Sequence, residues 1–388
     1  MQTFTGSGVP SYGNDYVGHG IAISGDGMTM AIGVYGGEAN GISAEGYVNI
    51  YKRYGVSWSF FQRVTGTGKS QSWYEYFGAS VDLSHNGTIM AALSCTPAAL
   101  RIYELNASLT MYTEVGQTIY MNANWGEHEA VTVAVSPSGG VVGALAPHHL
   151  NARIFERDGN EYKQKGADIV GFQESMSFNF DGSVVVVGSN NRSGGSNSGP
   201  GSIGRVGVFK WNDTLWELMG DYVSEYTGVG DRGCVSITYD GKTVIVGTRS
   251  GNGLVRAYTW DGHSWNQKGN DVVGSGNAFS ITDVSSDGDI LVVGAIGSQG
   301  YVYTYQWDGS NYVQFGQTIQ GEGGVFGYAL SVSADASTVA VGAWRYNDDY
   351  GKAYVYDLDL PPSPPSSIMP SLPPTPKQVS ISYEYFTF

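Results

Sequence analysis

The stretch that decides the fold is residues 330–342, LSVSADASTVAVG. Its first four residues alternate apolar with small polar side chains, which is the period-two pattern of a β-strand. The side chains of Ser333 and Asp335 can hydrogen-bond the neighbouring backbone, so the next residues are predicted to form a tight turn. A run of small and β-branched residues follows and ends at Gly342, which predicts a second strand. The stretch therefore has the form strand, turn, strand.

The same turn recurs six more times along the chain. Its Asp-like position is occupied by Asp26, Asn86, Ser138, Asp181, Asp240, Asp287 and Asp335. Two residues earlier stand Ser24, Ser84, Ser136, Asn179, Thr238, Ser285 and Ser333. Self-similarity of this kind decides the whole architecture, because each repeat is one supersecondary unit that buries its surfaces only against its neighbours.

Each repeat continues into a third and a fourth strand. The third strand ends in an aromatic residue every time, at Tyr51, Tyr103, Phe155, Phe209, Tyr258, Tyr305 and Tyr356. Asp-Gly at 261–262 and at 308–309 then stands between aromatic runs, which is a strong hairpin signal. Seven four-stranded antiparallel meanders arranged radially cover one another's faces. The sequence thus predicts an all-β fold, a seven-bladed β-propeller over residues 1–360.

The seventh repeat stops after its third strand, at residues 356–358. The segment QTFTG at 2–6 resembles QTIQG at 317–321, where the sixth repeat ends. We therefore expect the N-terminal strand to complete the last blade, since a ring closed in this way leaves no free sheet edge.

Five repeats carry a glycine seven residues after the Asp-like position of the turn. These glycines are Gly33, Gly188, Gly247, Gly294 and Gly342. A glycine inside a strand favours close approach of another backbone, so these positions predict tight contacts between crowded strands.

Two pairs of short motifs carry a family resemblance. Phe77-Gly78 followed by Ala91-Ala92, and Phe326-Gly327 followed by Gly342-Ala343, resemble the FG-GAP repeat of integrin-α-like propellers. The resemblance covers residues 1 to about 358 and implies the same propeller fold. That family often carries an Asp-x-Asp-x-Asp-Gly calcium loop between the first and second strands. Here the turn at 333–336 and its equivalents are too short and have too few carboxylates, so calcium binding is not carried over.

Composition excludes several classes of partner. Against 20 basic residues stand 35 acidic ones, a net charge of −15, so the chain is not predicted to bind nucleic acid. Cys95 and Cys234 lie in different repeats and cannot form a disulfide framework or a four-thiolate metal site. No basic and apolar leader pattern and no apolar run of about 18 residues is visible, so neither a signal peptide nor membrane insertion is expected. No cofactor is predicted.

The loops between strands 2 and 3, and between successive blades, share one end of the propeller. Because they vary most in length, we expect this end to be the binding surface. The candidate residues are Trp73, Tyr74, Tyr76, Trp125, Tyr226, Trp344, Tyr346, Asp348 and Asp349. Aromatic rings with few charges suit protein hot spots and sugar stacking alike. The alternative is that several of these rings fold over the end of the propeller as local core.

Other candidate chemistry is weaker. The sequence GTGKS at 66–70 resembles the end of a phosphate-binding loop, but Arg63 stands where that motif needs glycine, and the segment joins two strands. A zinc-sized ion could sit among His128, His148 and His149, although adjacent histidines seldom both point inward. No metal site is predicted.

A propeller glycoside hydrolase would need paired carboxylates near the axis. The inner strands offer only Asp82 and Asp283. We expect both side chains to bond neighbouring backbone or water, which argues against an enzyme.

Composition changes abruptly after Leu360. Eight of the 13 prolines lie in residues 361–376, which predicts a semi-rigid extended linker. Residues 377–388 have high β propensity, with apolar positions at Val379, Ile381, Tyr383, Tyr385, Phe386 and Phe388. We expect this segment to dock on the sheet edge of a partner. The alternatives are that it returns to the propeller or forms a disordered end.

These features together predict a non-enzymatic interaction or structural module in a larger assembly. The end of the propeller with the variable loops, which we call the loop face, would bind protein partners, and the C-terminal tail would tether the module. The low-charge surface rich in Tyr, Gly and Ser suits a cell surface, an extracellular sheath or a virion exterior. A carbohydrate-binding propeller that uses the loop aromatics is the alternative, and a propeller glycoside hydrolase ranks third.

Overall fold

The computed structural model describes residues 1–5, 15–67, 75–121, 132–146, 151–172, 174–189, 204–226, 234–248, 253–274 and 278–359. The described chain forms seven antiparallel sheets, which are the blades of a β-propeller. The predicted all-β fold and the predicted number of blades are confirmed.

The chain begins with β1 (Gln2–Thr5), which belongs to the last blade. Blade 1 contains β2 (Val17–Ile23), β3 (Thr29–Val34), β4 (Tyr47–Tyr54) and β5 (Ser57–Thr65). Blade 2 contains β6 (Ser80–Leu83), β7 (Ile89–Cys95), β8 (Ala98–Leu105), β9 (Tyr112–Glu114) and β10 (Ile119–Tyr120). Blade 3 contains β11 (Thr132–Val135), β12 (Val141–Ala146), β13 (Asn151–Asp158), β14 (Glu161–Gln164) and β15 (Ile169–Val170).

Blade 4 contains β16 (Ser175–Phe178), β17 (Val184–Ser189), β18 (Gly204–Trp211), β19 (Trp216–Leu218) and β20 (Ser224–Tyr226). Blade 5 contains β21 (Val235–Ile237), β22 (Thr243–Thr248), β23 (Leu254–Trp260) and β24 (Trp265–Val273). Blade 6 contains β25 (Ala278–Val284), β26 (Ile290–Ile296), β27 (Tyr301–Trp307) and β28 (Tyr312–Gln320). Blade 7 contains β29 (Ala329–Val332), β30 (Thr338–Ala343), the helical turn α1 (Tyr346–Asp349) and β31 (Lys352–Asp357).

The outermost strand is interrupted in the same place in five blades. In blades 2, 3 and 4 it consists of two pieces that both pair with the third strand, and in blades 5 and 6 it stays continuous but shifts register. A glycine with φ between 67° and 73° stands at the interruption, at Gly116, Gly166, Gly220, Gly269 and Gly316. Glycine adopts this left-handed conformation without steric cost, which makes room for a bulge.

The N-terminal strand closes the ring as predicted. β1 pairs antiparallel with β31, from Gln2 opposite Val355 to Thr5 opposite Lys352. Phe4 is buried, and its ring centroid lies 4.5 Å from that of Tyr51 in blade 1. The first strand therefore fills the outer position of blade 7 and also packs on blade 1.

The two polar columns of the turns behave as the sequence predicts. In blade 7, Ser333 Oγ donates to Asp335 Oδ1 at 2.6 Å and accepts from the Thr338 N–H at 3.0 Å. Asp335 Oδ1 also accepts from the Ser337 N–H at 2.9 Å. Each turn thus satisfies its backbone donors locally, which fixes the reversal between strands 1 and 2.

The residue between the two polar columns builds a ring around the propeller axis. Seven backbone hydrogen bonds, with N···O distances of 2.7 to 3.0 Å, link each turn to the next and the last turn to the first. The donor–acceptor pairs are Asp26–His85, His85–Pro137, Ser138–Phe180, Phe180–Tyr239, Tyr239–Ser286, Ser286–Ala334 and Ala334–Gly25. Pro137 has no N–H, so Ser138 donates in its place, and in blade 1 the donor is Asp26, next to Gly25. We call this closed ring the axial collar.

Three joints between blades are contacts of glycine on glycine. A Cβ on Gly33, Gly294 or Gly342 would collide with the carbonyl oxygen of Gly78, Gly327 or Gly18, respectively, in the next blade. The predicted close approach is therefore confirmed at these three positions. At Gly247 the nearest atom is instead the Thr282 methyl carbon, at 3.3 Å from such a Cβ.

Candidate functional site

The described part of the loop face carries a cluster of six neighbouring rings. We call it the aromatic cluster, and its members are Tyr16, His19, Tyr35, Tyr76, Tyr328 and Trp344. Tyr16 and Tyr35 stack in parallel with ring centroids 4.9 Å apart. The ring centroid of Trp344 lies 5.6 Å from the ring centroids of Tyr16, His19 and Tyr328. The cluster joins the loop ends of blades 7, 1 and 2.

The glycine joints explain why these rings meet. Tyr16 and Tyr76 have left-handed φ values of 52° and 53° and stand directly before Val17-Gly18 and Phe77-Gly78. The Tyr16 N–H donates to the Asp349 carbonyl at 3.0 Å, and the Tyr76 N–H donates to the Ala44 carbonyl at 3.0 Å. Each tyrosine is thereby held by the backbone of the preceding blade, so both side chains are placed by the joints themselves.

Trp344 is half-buried, and a charged residue covers one face of its indole. The Arg345 guanidinium carbon lies 4.6 Å from the indole centroid, and Arg345 Nε lies 3.7 Å from Asp349 Oδ1. Within the described residues, Trp344 Nε1 has no hydrogen-bond partner. That nitrogen is fully buried, so it is not open to a ligand.

The neighbouring turn α1 presents charged and aromatic groups. Asn347 and Asp348 have left-handed φ values of 52° and 56°, which Asn and Asp tolerate better than other residues. Asp348 is exposed, whereas Tyr346 is half-buried under Lys352, whose Nζ lies 4.8 Å from the ring centroid. Lys352 Nζ also pairs with Glu322 Oε2 at 2.7 Å. This edge of the loop face therefore combines rings with paired charges.

The predicted binding residues have different surroundings. Tyr76 is only 7% exposed and belongs to the core beneath the loop face, as the alternative interpretation of the aromatics allows. Trp344, Tyr346 and Asp349 are half-buried, and Asp348 is exposed. Tyr226 ends β20. Trp73, Tyr74, Trp125, His128, His148, His149 and the tail residues 360–388 lie outside the described residues.

Sequence reasoning missed four members of the aromatic cluster: Tyr16, His19, Tyr35 and Tyr328. A signal for two of them was present. Tyr16 precedes Val17-Gly18 as Tyr76 precedes Phe77-Gly78, and Tyr328 directly follows Phe326-Gly327. Comparing the residues on either side of these glycines would have placed both tyrosines at the joints.

The axial channel contains the two inner-strand carboxylates. Asp82 Oδ2 accepts from the Val135 N–H in the next blade at 2.7 Å, and Oδ1 accepts from the Leu83 N–H at 2.8 Å. Asp283 repeats this arrangement, with Oδ2 accepting from Val332 and Oδ1 from Val284, both at 2.9 Å. The expectation that these carboxylates bond neighbouring backbone is confirmed. Each one ties its inner strand to the following blade.

Both carboxylates line a cavity of about 120 Å³ inside the axial collar. Burial raises the pKa of Asp82 to about 7, against the hydrogen bonds from Val135 and Leu83, and the charge of Asp283 raises it further. Burial likewise raises the pKa of Asp283 to about 6. At the collar, His85 Nδ1 lies 3.0 Å from Tyr239 Oη.

Two kinds of feature are absent from the described residues. No helix there is long and apolar enough to cross a membrane. No group of three or more His, Cys, Asp or Glu side chains there could hold a metal ion.

Comparisons with known proteins extend to the fold alone. No family model and no curated protein matches the chain, so the FG-GAP resemblance stays a prediction. A solved chain described as "Crystal Structure of Mitotic Checkpoint Complex" is similar over 92% of this chain and 94% of that one, with 11% identity and a TM-score of 0.60. The β-propeller domain of Cps50 (Swd1) from Myceliophteria thermophila is similar over 92% of this chain and all of that one, with 9% identity and a TM-score of 0.59. At this low identity, the similarity shows that the chain has a β-propeller fold.

Proposed function

We propose that this chain is a non-enzymatic scaffold that binds a protein partner through its loop face. The arrangement of Asp82 and Asp283 carries the proposal, because both oxygens of each carboxylate accept backbone hydrogen bonds. Carboxylates that accept backbone hydrogen bonds from the following blade hold the blades together. A glycosidase would instead need two carboxyl groups free to face a sugar.

The construction of the two faces supports the same proposal. The opposite end, which we call the turn face, carries the axial collar and the short turns between strands 1 and 2 and between strands 3 and 4. The loop face carries the half-buried Trp344 and Tyr346 beside the exposed Asp348. Aromatic rings held rigidly next to charges are typical of interface hot spots. The similar solved structure from a checkpoint complex is also described as part of an assembly.

Site-specific photo-crosslinking in the native source would test this proposal. A photoreactive residue at Asp348 on the loop face should give a discrete crosslinked protein, and the same residue at Asn212 on the turn face should not. Both side chains are exposed, so the two positions are matched in accessibility. Equal crosslinking at both positions, or none at Asp348, would contradict the proposal. So would a hydrolase activity that Asp82→Asn removes.

Glycan binding is a second candidate, and the half-buried ring of Trp344 favours it. Stacking of a sugar on Trp344 would use the exposed part of the hydrophobic indole. Glycan-array binding that Trp344→Ala abolishes, and that Trp260→Ala on the turn face preserves, would place this function above protein binding. An array without signal for the wild-type chain would remove it.

We infer a relation to the FG-GAP propellers, supported by the glycine joints that follow Phe77 and Phe326. We further propose that residues 377–388 tether the module to a surface assembly, either at a cell surface or on a virion exterior. Immunolabelling of intact cells or particles, with and without permeabilisation, tests the location.

A further inference from the structure

Two glutamates are buried together at the joint between blades 1 and 2. Glu45 lies in the connection from β3 to β4 and is 1% exposed, and Glu75 precedes β6 and is 6% exposed. Gly66, just after β5, lies between them. A Cβ on Gly66 would stand 2.8 Å from Glu75 Oε2 and 2.9 Å from Glu45 Cγ. The absence of a side chain at Gly66 therefore makes room for both carboxyl groups.

The described hydrogen bonds leave one of these oxygens without a partner. Thr67 donates to Glu75 Oε2 from its N–H at 2.7 Å and from Oγ1 at 3.1 Å. Asn40 Nδ2 donates to Glu45 Oε1 at 3.3 Å. Among the described residues, nothing bonds Glu45 Oε2, although that atom is fully buried. Leaving a carboxylate oxygen buried and unpaired is costly, so a partner of positive charge would stabilise it.

The N–H groups of Arg101, whose charge acts on both glutamates, donate to other groups. Arg101 pairs with Glu114 through Nε at 3.3 Å and Nη2 at 3.0 Å, and its Nη1 donates to the Thr65 carbonyl at 3.0 Å. The pKa of Glu45 is raised, mainly by burial and further by the negative charge of Glu75. The hydrogen bond from Asn40 and the positive charge of Arg101 act in the opposite direction. Arg101 therefore acts on Glu45 and Glu75 through its charge, while its hydrogen bonds go to Glu114 and Thr65.

We propose that Glu45 and Glu75 bind a hard divalent cation of the calcium class at the joint between blades 1 and 2. Carboxylate and hydroxyl oxygens are the ligands that such ions prefer, and Glu45, Glu75 and Thr67 supply them here. The ion would tie the loop between β3 and β4 to the segment that leads into blade 2. This position lies on the loop face, away from the turns between first and second strands, and the inference is independent of the proposed scaffold function.

Calcium titration of the full chain after treatment with a chelator would test the site. The wild-type protein should bind one ion by isothermal titration calorimetry, and calcium should raise its melting temperature. Glu45→Gln and Glu75→Gln should each weaken binding by about tenfold or more, because each removes a charged ligand. Glu322→Gln is the matched control, since Glu322 pairs with Lys352 and should not affect binding.

Two results would overturn the proposal. If the wild-type chain binds neither calcium nor magnesium and Glu45→Gln is at least as stable, Glu45 carries a proton. If Glu45→Gln destabilises the chain while calcium has no effect on the wild-type protein, the group that balances Glu45 belongs to the protein itself. Calcium titration of the wild-type protein shows whether an ion binds, even if one of the variants fails to fold.

Discussion

The side-chain amide of Gln2 exchanges two hydrogen bonds with the backbone of Trp58. Gln2 Nε2 donates to the Trp58 carbonyl at 3.0 Å, and Oε1 accepts from the Trp58 N–H at 2.9 Å. Gln62 makes the same pair of bonds with Tyr112 in the next blade, at 3.1 and 2.7 Å. The N-terminal strand therefore reproduces a contact between outer strands as well as the pairing within blade 7.

Gln2→Ala should lower the free energy of unfolding by about 1–3 kcal/mol, because it leaves the Trp58 backbone groups without their partners. The control is Gln314→Ala, which removes an exposed bond to Thr318 and should change stability by at most about 0.5 kcal/mol. Urea denaturation of both variants gives the comparison. Equal effects would mean that the Gln2 amide does not clamp the ring. Removal of residues 1–5 should cost more than Gln2→Ala, since it also exposes the edge of β31.

Gly33→Ala should destabilise the protein by at least about 1–3 kcal/mol, because the new methyl group would overlap the Gly78 carbonyl oxygen of the next blade. Gly140→Ala is the matched control, since the nearest atom to its Cβ would be Ser138 Oγ at an ordinary 3.5 Å. Thermal unfolding measures both. A Gly33→Ala variant as stable as the control would show that the joint can relax.

Asp283 should make the protein less stable as the pH rises. Its pKa is about 6 in the folded state and 3.8 for the unperturbed group, so between these values the folded state binds more protons than the unfolded one. The free energy of unfolding must then fall with rising pH across this window. Asp82 extends the fall to about pH 7, where its own pKa lies.

Asp283→Asn should therefore flatten the decline in stability between pH 4 and 6, which denaturant midpoints at several pH values would measure. Ser331→Ala is the control, because it removes the channel-side bond to the Ile23 N–H without removing a titratable group. Ser331→Ala should change the free energy of unfolding by the same amount at every pH, so the slope of stability against pH should stay the same. An unchanged slope in Asp283→Asn would contradict the assignment.

Deletion of residues 377–388 should leave the melting temperature almost unchanged, because β1 already fills the outer position beside β31. The truncated protein should instead be released from its native assembly, which sedimentation of native extracts would show. A clear fall in melting temperature would show that the segment belongs to the propeller.

Sequence reasoning reached the turns, the number of blades and the closing strand. Ser333 and Asp335 bond backbone within five residues of themselves, so the chain nearby contains the whole signal. The similarity of residues 2–6 to 317–321 was enough to predict the closure. The clamp from Gln2 to Trp58 was not predicted, because the two residues meet only when the ring is closed.

The amino-acid pattern alone determined which residues form strands and turns, how many blades there are and which strand seals them. Those features depend on side chains that act over a few residues or on repetition along the chain. The tertiary structure decided that Tyr76 is buried, that Tyr16 and Trp344 meet, and that the axial collar closes. It also decided that Glu45 and Glu75 share one buried region. These contacts join different blades, and only the radial packing of the blades brings their residues within reach of one another.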